Sequence, residues 1–209
     1  YIEVPYSSVN NTSQFTVEHW VRLDGGAGTF RAPLCSRNYN ANPKTGYTFY
    51  AQTDNTWGFW AFDKKLQGPA VVYGQWTHLA GTYDGSSFRF YVNGILVDTI
   101  ISTFSPNTDK SLRIGAGATE LATPNYYFPG IVDEVRIWNF ARTASEINSN
   151  ISTSLVLPQS GLVSYYNFND GLSLNALGTN NGTLYNNPLP VFTTAPTEIS
   201  GNSTICNGS

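Results

Sequence analysis

Acid–base chemistry in this chain would have to be assembled from few parts: 14 Asp and Glu, two His and two Cys among 209 residues. Glycoside hydrolysis with retention needs two carboxylates about 5 Å apart. On a strand, acids two positions apart share a face and could supply them, and no such pair occurs. Asp133 and Glu134 are adjacent, so on a strand they point to opposite faces and do not flank one bond. His19 and His78 both fall within strand patterns, and no Gly-x-Ser-x-Gly elbow accompanies them. No His/Cys cluster has zinc spacing, and no Gly-rich loop is followed by Lys-Ser/Thr. The expectation is a protein without catalytic machinery.

Asp133 stands out among the acids. By parity it shares a strand face with Ile131, Val135 and Ile137, the apolar set expected inside. A carboxylate turned inward is costly unless it is hydrogen-bonded, paired or bound to a cation. Glu134 and Arg136 fall on the other face with Trp138, where they are expected to pair at the surface. Stacking is the second available chemistry. Flat aromatic faces bury the C–H surface of a sugar while Asn and Asp hold its hydroxyls. Tyr39, Asn40 and Asn42 lie in one polar loop, and Asn125, Tyr126 and Tyr127 in another that follows Pro124. Trp57 and Trp60 have opposite parity, so one of them is expected to face away from the core. The competing reading is that these aromatics only cover the core.

The elements that must position these residues are short strands. Phe15–Leu23 alternates, with Phe15, Val17, Val21 and Leu23 on one face. Runs 47–52 and 57–62 flank a hairpin loop at Thr53–Thr56, and Asn93-Gly94 marks a second hairpin. Further strands are expected at 76–83, 87–92, 95–101, 112–115, 130–139 and 161–168. Thr143-Ala144-Ser145-Glu146 is a capping box that opens one short helix. Together these predict an all-β chain: a two-sheet antiparallel jelly-roll sandwich with one short helix. The sandwich is expected over 1–192, with a linker and the start of another unit over 193–209. A net charge of -3 gives no basic patch for nucleic acid, and no apolar run is long enough to span a bilayer. Cys35 sits in an apolar stretch and is expected as a buried thiol, with a bond to Cys206 left open.

Ordered motifs then resemble a known family. Phe15-x-Val17-Glu18-x-Trp20, Trp76-Thr77-His78-Leu79-Ala80-x-Thr82-Tyr83-Asp84-Gly85 and Tyr91-Val92-Asn93-Gly94 come first. Ile114-Gly115, Gly130 to Asn139 and Ala141-Arg142-Thr143-x-x-Glu146-Ile147 follow. The set is similar to the concanavalin A-like, laminin-G (pentraxin-like) domain of large bacterial surface proteins. The tail Ile199 to Gly208 resembles the opening of an immunoglobulin-like module, which would hold the partner of Cys206. The resemblance implies a secreted, cell-surface or extracellular module beside other domains of the same chain. It also implies structural calcium, with Asp133 as a ligand.

The function expected is non-catalytic recognition of polysaccharide or glycoprotein glycans within an adhesin. The ligand-binding candidates are Tyr39, Asn40, Asn42, Trp57, Trp60, Asn125, Tyr126 and Tyr127. The alternatives are a structural spacer or protein-interaction module, or an accessory module of a secreted glycoside hydrolase.

Overall fold

The computed structural model describes residues 1–61, 63–169, 173–186, 190–192 and 202–206. Its strands are β1 (Ile2–Val4), β2 (Phe15–Leu23), β3 (Leu34–Asn38), β4 (Thr45–Ala51), β5 (Thr56–Ala61) and β6 (Lys64–Ala70). Next come β7 (Trp76–Tyr83), β8 (Ser87–Val92), β9 (Ile95–Ile101), β10 (Leu112–Ile114) and β11 (Gly130–Trp138). The last are β12 (Leu162–Tyr166), β13 (Thr183–Leu184), β14 (Pro190–Phe192) and β15 (Asn202–Cys206).

Seven strands form one sheet in the order β13-β1-β10-β3-β4-β5-β6. The second runs β11-β2-β7-β8-β9, with β12 on the free side of β11 and β15 and β14 pairing beyond Gly130–Val132. Both sheets are antiparallel, the jelly-roll sandwich expected from the strand spacing. Of the linker and further unit expected over 193–209, residues 193–201 and 207–209 lie outside the described residues, as does the side chain of Cys206, while the backbone of Asn202–Cys206 pairs with Gly130–Val132 in the second sheet. Cys35 is a free, buried thiol.

Alternation builds the core. Phe15, Val17, Val21 and Leu23 of β2 meet Tyr47, Phe49 and Ala51 of β4 and Trp57 and Phe59 of β5 between the sheets. Burying each large side chain contributes about 1.5–3 kcal/mol relative to exposure. His19 has inward parity too, and its ring meets Phe49 edge-on at 4.7 Å.

The inward placement of Asp133 is corrected by a bulge in β11. Asp133 lies opposite Trp20, but the next paired residue is Arg136, opposite Glu18. Glu134 takes a left-handed φ of 52° at this irregularity. Parity therefore resets: Val132, Val135 and Ile137 point into the core, while Asp133 joins Trp20 on the outer face. The pairing of Glu134 with Arg136 occurs at 2.6 Å, yet it is buried and not at the surface as expected.

The layer that buries this pair also closes the outer face of the second sheet. Helix α1 (Ala144–Asn150) begins at the expected capping box, with Thr143 and Glu146 bonding each other's backbone amides. Arg142 reaches Glu18 at 2.6 Å and lies over the Trp138 ring at 4.2 Å. Arg136 also donates to the carbonyls of Asn150 and Thr153, at 2.8 and 2.6 Å. Among the described residues, no such helix lies on the outer face of the seven-stranded sheet. Among the described residues, no helix is long and apolar enough to cross a membrane.

Candidate functional site

On strands β3, β4 and β5 the residues that alternate with the core ones point outward from the seven-stranded sheet. They include Arg37, Tyr50 and Trp60. Trp60 fixes its indole by donating to Gln52 Oε1 at 3.0 Å. Phe30, just before β3, contributes a ring 4.9 Å from Tyr50 and 5.5 Å from Trp60. The segment 115–128 folds across this face and brings Tyr126 to 5.9 Å from both Phe30 and Tyr50.

Backbone pairing holds that segment in place. Ala32 N–H donates to the Tyr126 carbonyl at 2.8 Å, and Gly117 N–H to that of Asn125 at 2.8 Å. Tyr126 adopts φ 55°, which turns it toward Tyr50. Thr119 Oγ1 clips the segment to β3, accepting from Arg37 N–H at 3.0 Å and donating to the Arg37 carbonyl at 2.5 Å. Glu120 is thereby placed against Arg37 Nη2, at 3.3 Å.

The result is a cavity of about 290 Å³. Phe30, Tyr50, Trp60 and Tyr126 form its aromatic wall, Arg37 and Glu120 its polar wall, and exposed Tyr39 its rim. Arg37 faces the rings of Tyr39 and Tyr50 at 5.1 and 5.6 Å, and Lys44 Nζ lies 3.6 Å over the Tyr39 ring. Burial holds the Tyr50 hydroxyl well above the usual phenol range, so it stays protonated as a neutral donor.

The structure thus brings together Tyr39, Trp60 and Tyr126 of the candidates drawn from sequence. Trp57 is not among them: it is 1% exposed in the core and is corrected to a packing role. Asn40 and Asn42 are exposed in the loop beside Tyr39 and do not line the cavity. Asn125 is exposed, and its Oδ1 accepts the Tyr126 amide at 2.8 Å. Tyr127 turns the other way, toward the Tyr1 ring at 6.2 Å. Phe30, Arg37, Tyr50 and Glu120 were missed. The signal for Tyr50 was its parity against Tyr47 and Phe49; Glu120 lies 83 positions from Arg37 and left no local signal.

A second, shallower cleft of about 410 Å³ holds Glu3, Asp109 and Glu120. Each of these acids has a cationic partner: Arg113 at 3.3 Å, Lys110 at 2.7 Å and Arg37 at 3.3 Å. At Asp133, Oδ1 accepts the Glu134 amide at 2.8 Å. No group of three or more His, Cys, Asp or Glu that could hold a metal occurs among the described residues. Calcium takes six to eight oxygens, and no acidic cluster surrounds Asp133 among the described residues, so a calcium there would lean on carbonyls and waters.

Residues 1–148 match the laminin-G model of the concanavalin A-like lectin/glucanases superfamily. The chain belongs to that family. Within this laminin-G-type group it is similar to human pappalysin-1, 38% identical over 164 residues and 66% of this chain, and to mouse pappalysin-1 at 30%. The chain spans about 10% of the length of these relatives. Among solved structures, a Bacteroides ovatus protein provisionally named as carbohydrate-binding superposes with a TM-score of 0.71 at 22% identity. That match covers 87% of this chain and 54% of the other. The CBM40 of Ruminococcus gnavus IT-sialidase, bound to α2,3-sialyllactose, has a TM-score of 0.56 at 15% identity over 70% of this chain and 90% of its own. At these identities the structures establish the shared fold alone.

Proposed function

We propose that this laminin-G-type module is a non-catalytic, extracellular carbohydrate-binding unit of a larger protein, with its site on the outer face of the seven-stranded sheet. The observation that carries the reading is the cavity itself: the Tyr50 ring stands nearly perpendicular to those of Trp60 and Tyr126, beside polar side chains locked into the wall. Aromatic faces accept sugar C–H surface, and fixed polar groups orient the hydroxyls. Carbohydrate-binding structures among those sharing the fold support the reading. The acids lining the two clefts are tied up in ion pairs, which argues against the acid–base pair of a glycosidase.

The experiment is binding of the purified chain to an array of polysaccharides and glycoprotein glycans, with Trp60→Ala and Tyr126→Ala beside the wild type. Selective binding lost in both variants supports the site. Binding that survives both moves the site elsewhere, and silence across the array removes the carbohydrate reading.

One observation favours a protein-contact role as the second reading. Strand β9 ends its sheet with Ile95 and Ile101 at 68% and 83% exposure. Retained protein binding by a Trp60→Ala variant that is lost in Ile101→Asp would favour it.

A further inference from the structure

Charge in the cavity wall is already committed. Arg37 and Glu120 pair at 3.3 Å with side chains only 8% and 7% exposed. An acidic sugar would need a guanidinium for its carboxylate. Taking Arg37 for that purpose would leave Glu120 nearly buried and unpaired, the costly way to break a buried ion pair. Glu120 would also repel the incoming anion. The remaining cation, Lys44, stands over the Tyr39 ring at the rim, where solvent and salt weaken its attraction.

The same pair suits an uncharged ligand. Arg37 and Glu120 both line the cavity, so the pair as a whole presents a donor group and an acceptor group in the polar wall, while Arg37 Nε and Glu120 Oε2, without partners in the protein, are sealed from solvent. A hydroxyl both donates and accepts, so two neighbouring hydroxyls of one sugar ring match that complement without disturbing the pair. The ring's C–H face meets the opposite, aromatic wall. At about 290 Å³ the cavity lies at the small end of ligand pockets and has room for one ring at the end of a glycan.

We infer that the cavity selects an uncharged terminal sugar with adjacent free hydroxyls over sialylated, sulfated or uronic-acid glycans. This rests on the carbohydrate reading above and names its ligand class. It sets this chain apart from the sialyllactose-bound module that shares its fold.

Matched glycan pairs decide the matter, each pair sharing a core and differing only in whether the terminus is neutral or sialylated. The wild-type chain is expected to prefer neutral termini by about tenfold or more. Its affinity should change less than about twofold between about 50 and about 500 mM NaCl, because no net charge is neutralised on binding. Glu120→Gln keeps the size of the side chain and frees Arg37. It is expected to weaken neutral binding and to shift the preference toward acidic termini. Preference of the wild type for acidic glycans, or affinity that falls steeply with salt, would overturn the inference and leave the carbohydrate reading standing. Binding to no glycan of either class would remove both. Because the wild-type comparison and the salt series need no variant, a poorly folded Glu120→Gln protein does not blunt the test.

Discussion

Trp57 and Trp60 lie on one strand, and their surroundings give them different duties. Trp57 is sealed between the sheets, where truncation would leave a void. Trp60 is half-buried in the cavity wall, so Trp60→Ala should lower glycan affinity about tenfold, roughly 1.4 kcal/mol, with only a small change in melting temperature. Isothermal titration beside a thermal melt separates the two effects. His19 makes a different prediction. Burial in the core lowers its pKa to about 3 from an ordinary 6.5, and neither ring nitrogen has a hydrogen-bond partner. The folded state keeps the imidazole neutral while the unfolded chain takes up a proton below about pH 6.5. The native state is therefore penalised as pH falls from about 6.5 toward 3, by about 1.4 kcal/mol per unit from this group, and is unaffected by it above that range. Denaturant melts between pH 7 and 4 should show this slope, reduced by about one proton in His19→Leu. An unchanged slope would show that the burden lies elsewhere, His78 being the other buried histidine held well below its ordinary pKa.

Among the elements, β3 and β4 set the geometry of the cavity, and Gly46 lets them pair. It adopts φ 80° opposite Arg37, and a Cβ there would stand 2.1 Å from the Ser36 carbonyl oxygen. Gly46→Ala is expected to cost about 2–3 kcal/mol. That corresponds to a melting temperature lower by about 5–10 °C, with weakened glycan binding because Arg37 and Tyr50 shift with their strands. Differential scanning calorimetry checks the first part, and a melting temperature within about 2 °C of wild type would contradict it. Elements encoded within a few neighbouring residues were legible in the sequence. Thr143 and Glu146 specify the start of α1 by themselves, and alternation along Phe15–Leu23 exposes the core face of β2. The β11 bulge was not legible, because nothing in Asp133-Glu134-Val135 says that Glu134 will take a left-handed conformation. One unseen residue of slip inverted the reading of Asp133. Strand β6 escaped for another reason: only Leu66 of Lys64–Ala70 is buried, so its composition reads as a polar loop. The cavity was half visible, since Tyr39, Trp60 and Tyr126 lie in conspicuous runs. The Arg37–Glu120 pair exists only once the fold has joined positions far apart in the chain.

Across the whole molecule the two outer faces are built for different purposes. One is sealed by α1 and by arginines whose partners are all internal; the other is crossed by segment 115–128 and keeps an opening. Among the described residues no cluster of three or more His, Cys, Asp or Glu ties this arrangement to a metal, and Asp133 accepts the Glu134 amide. Chelator is therefore expected to leave the melting temperature within about 1 °C of its value in added calcium. A clear rise with calcium would reveal a cation site outside this set of donors. The loop over the open face has a consequence in time. Its segment 115–128 is tied down through main-chain bonds at Ala32 and Gly117 and through Thr119, so nothing need fold when a ligand arrives. Encounter then proceeds at much the same rate for good and poor ligands, and the difference between them lies in how long each stays. One small cavity gives short stays. Long retention on a surface would come from several such modules engaging one glycan coat at once, each re-forming its contact before its neighbours let go.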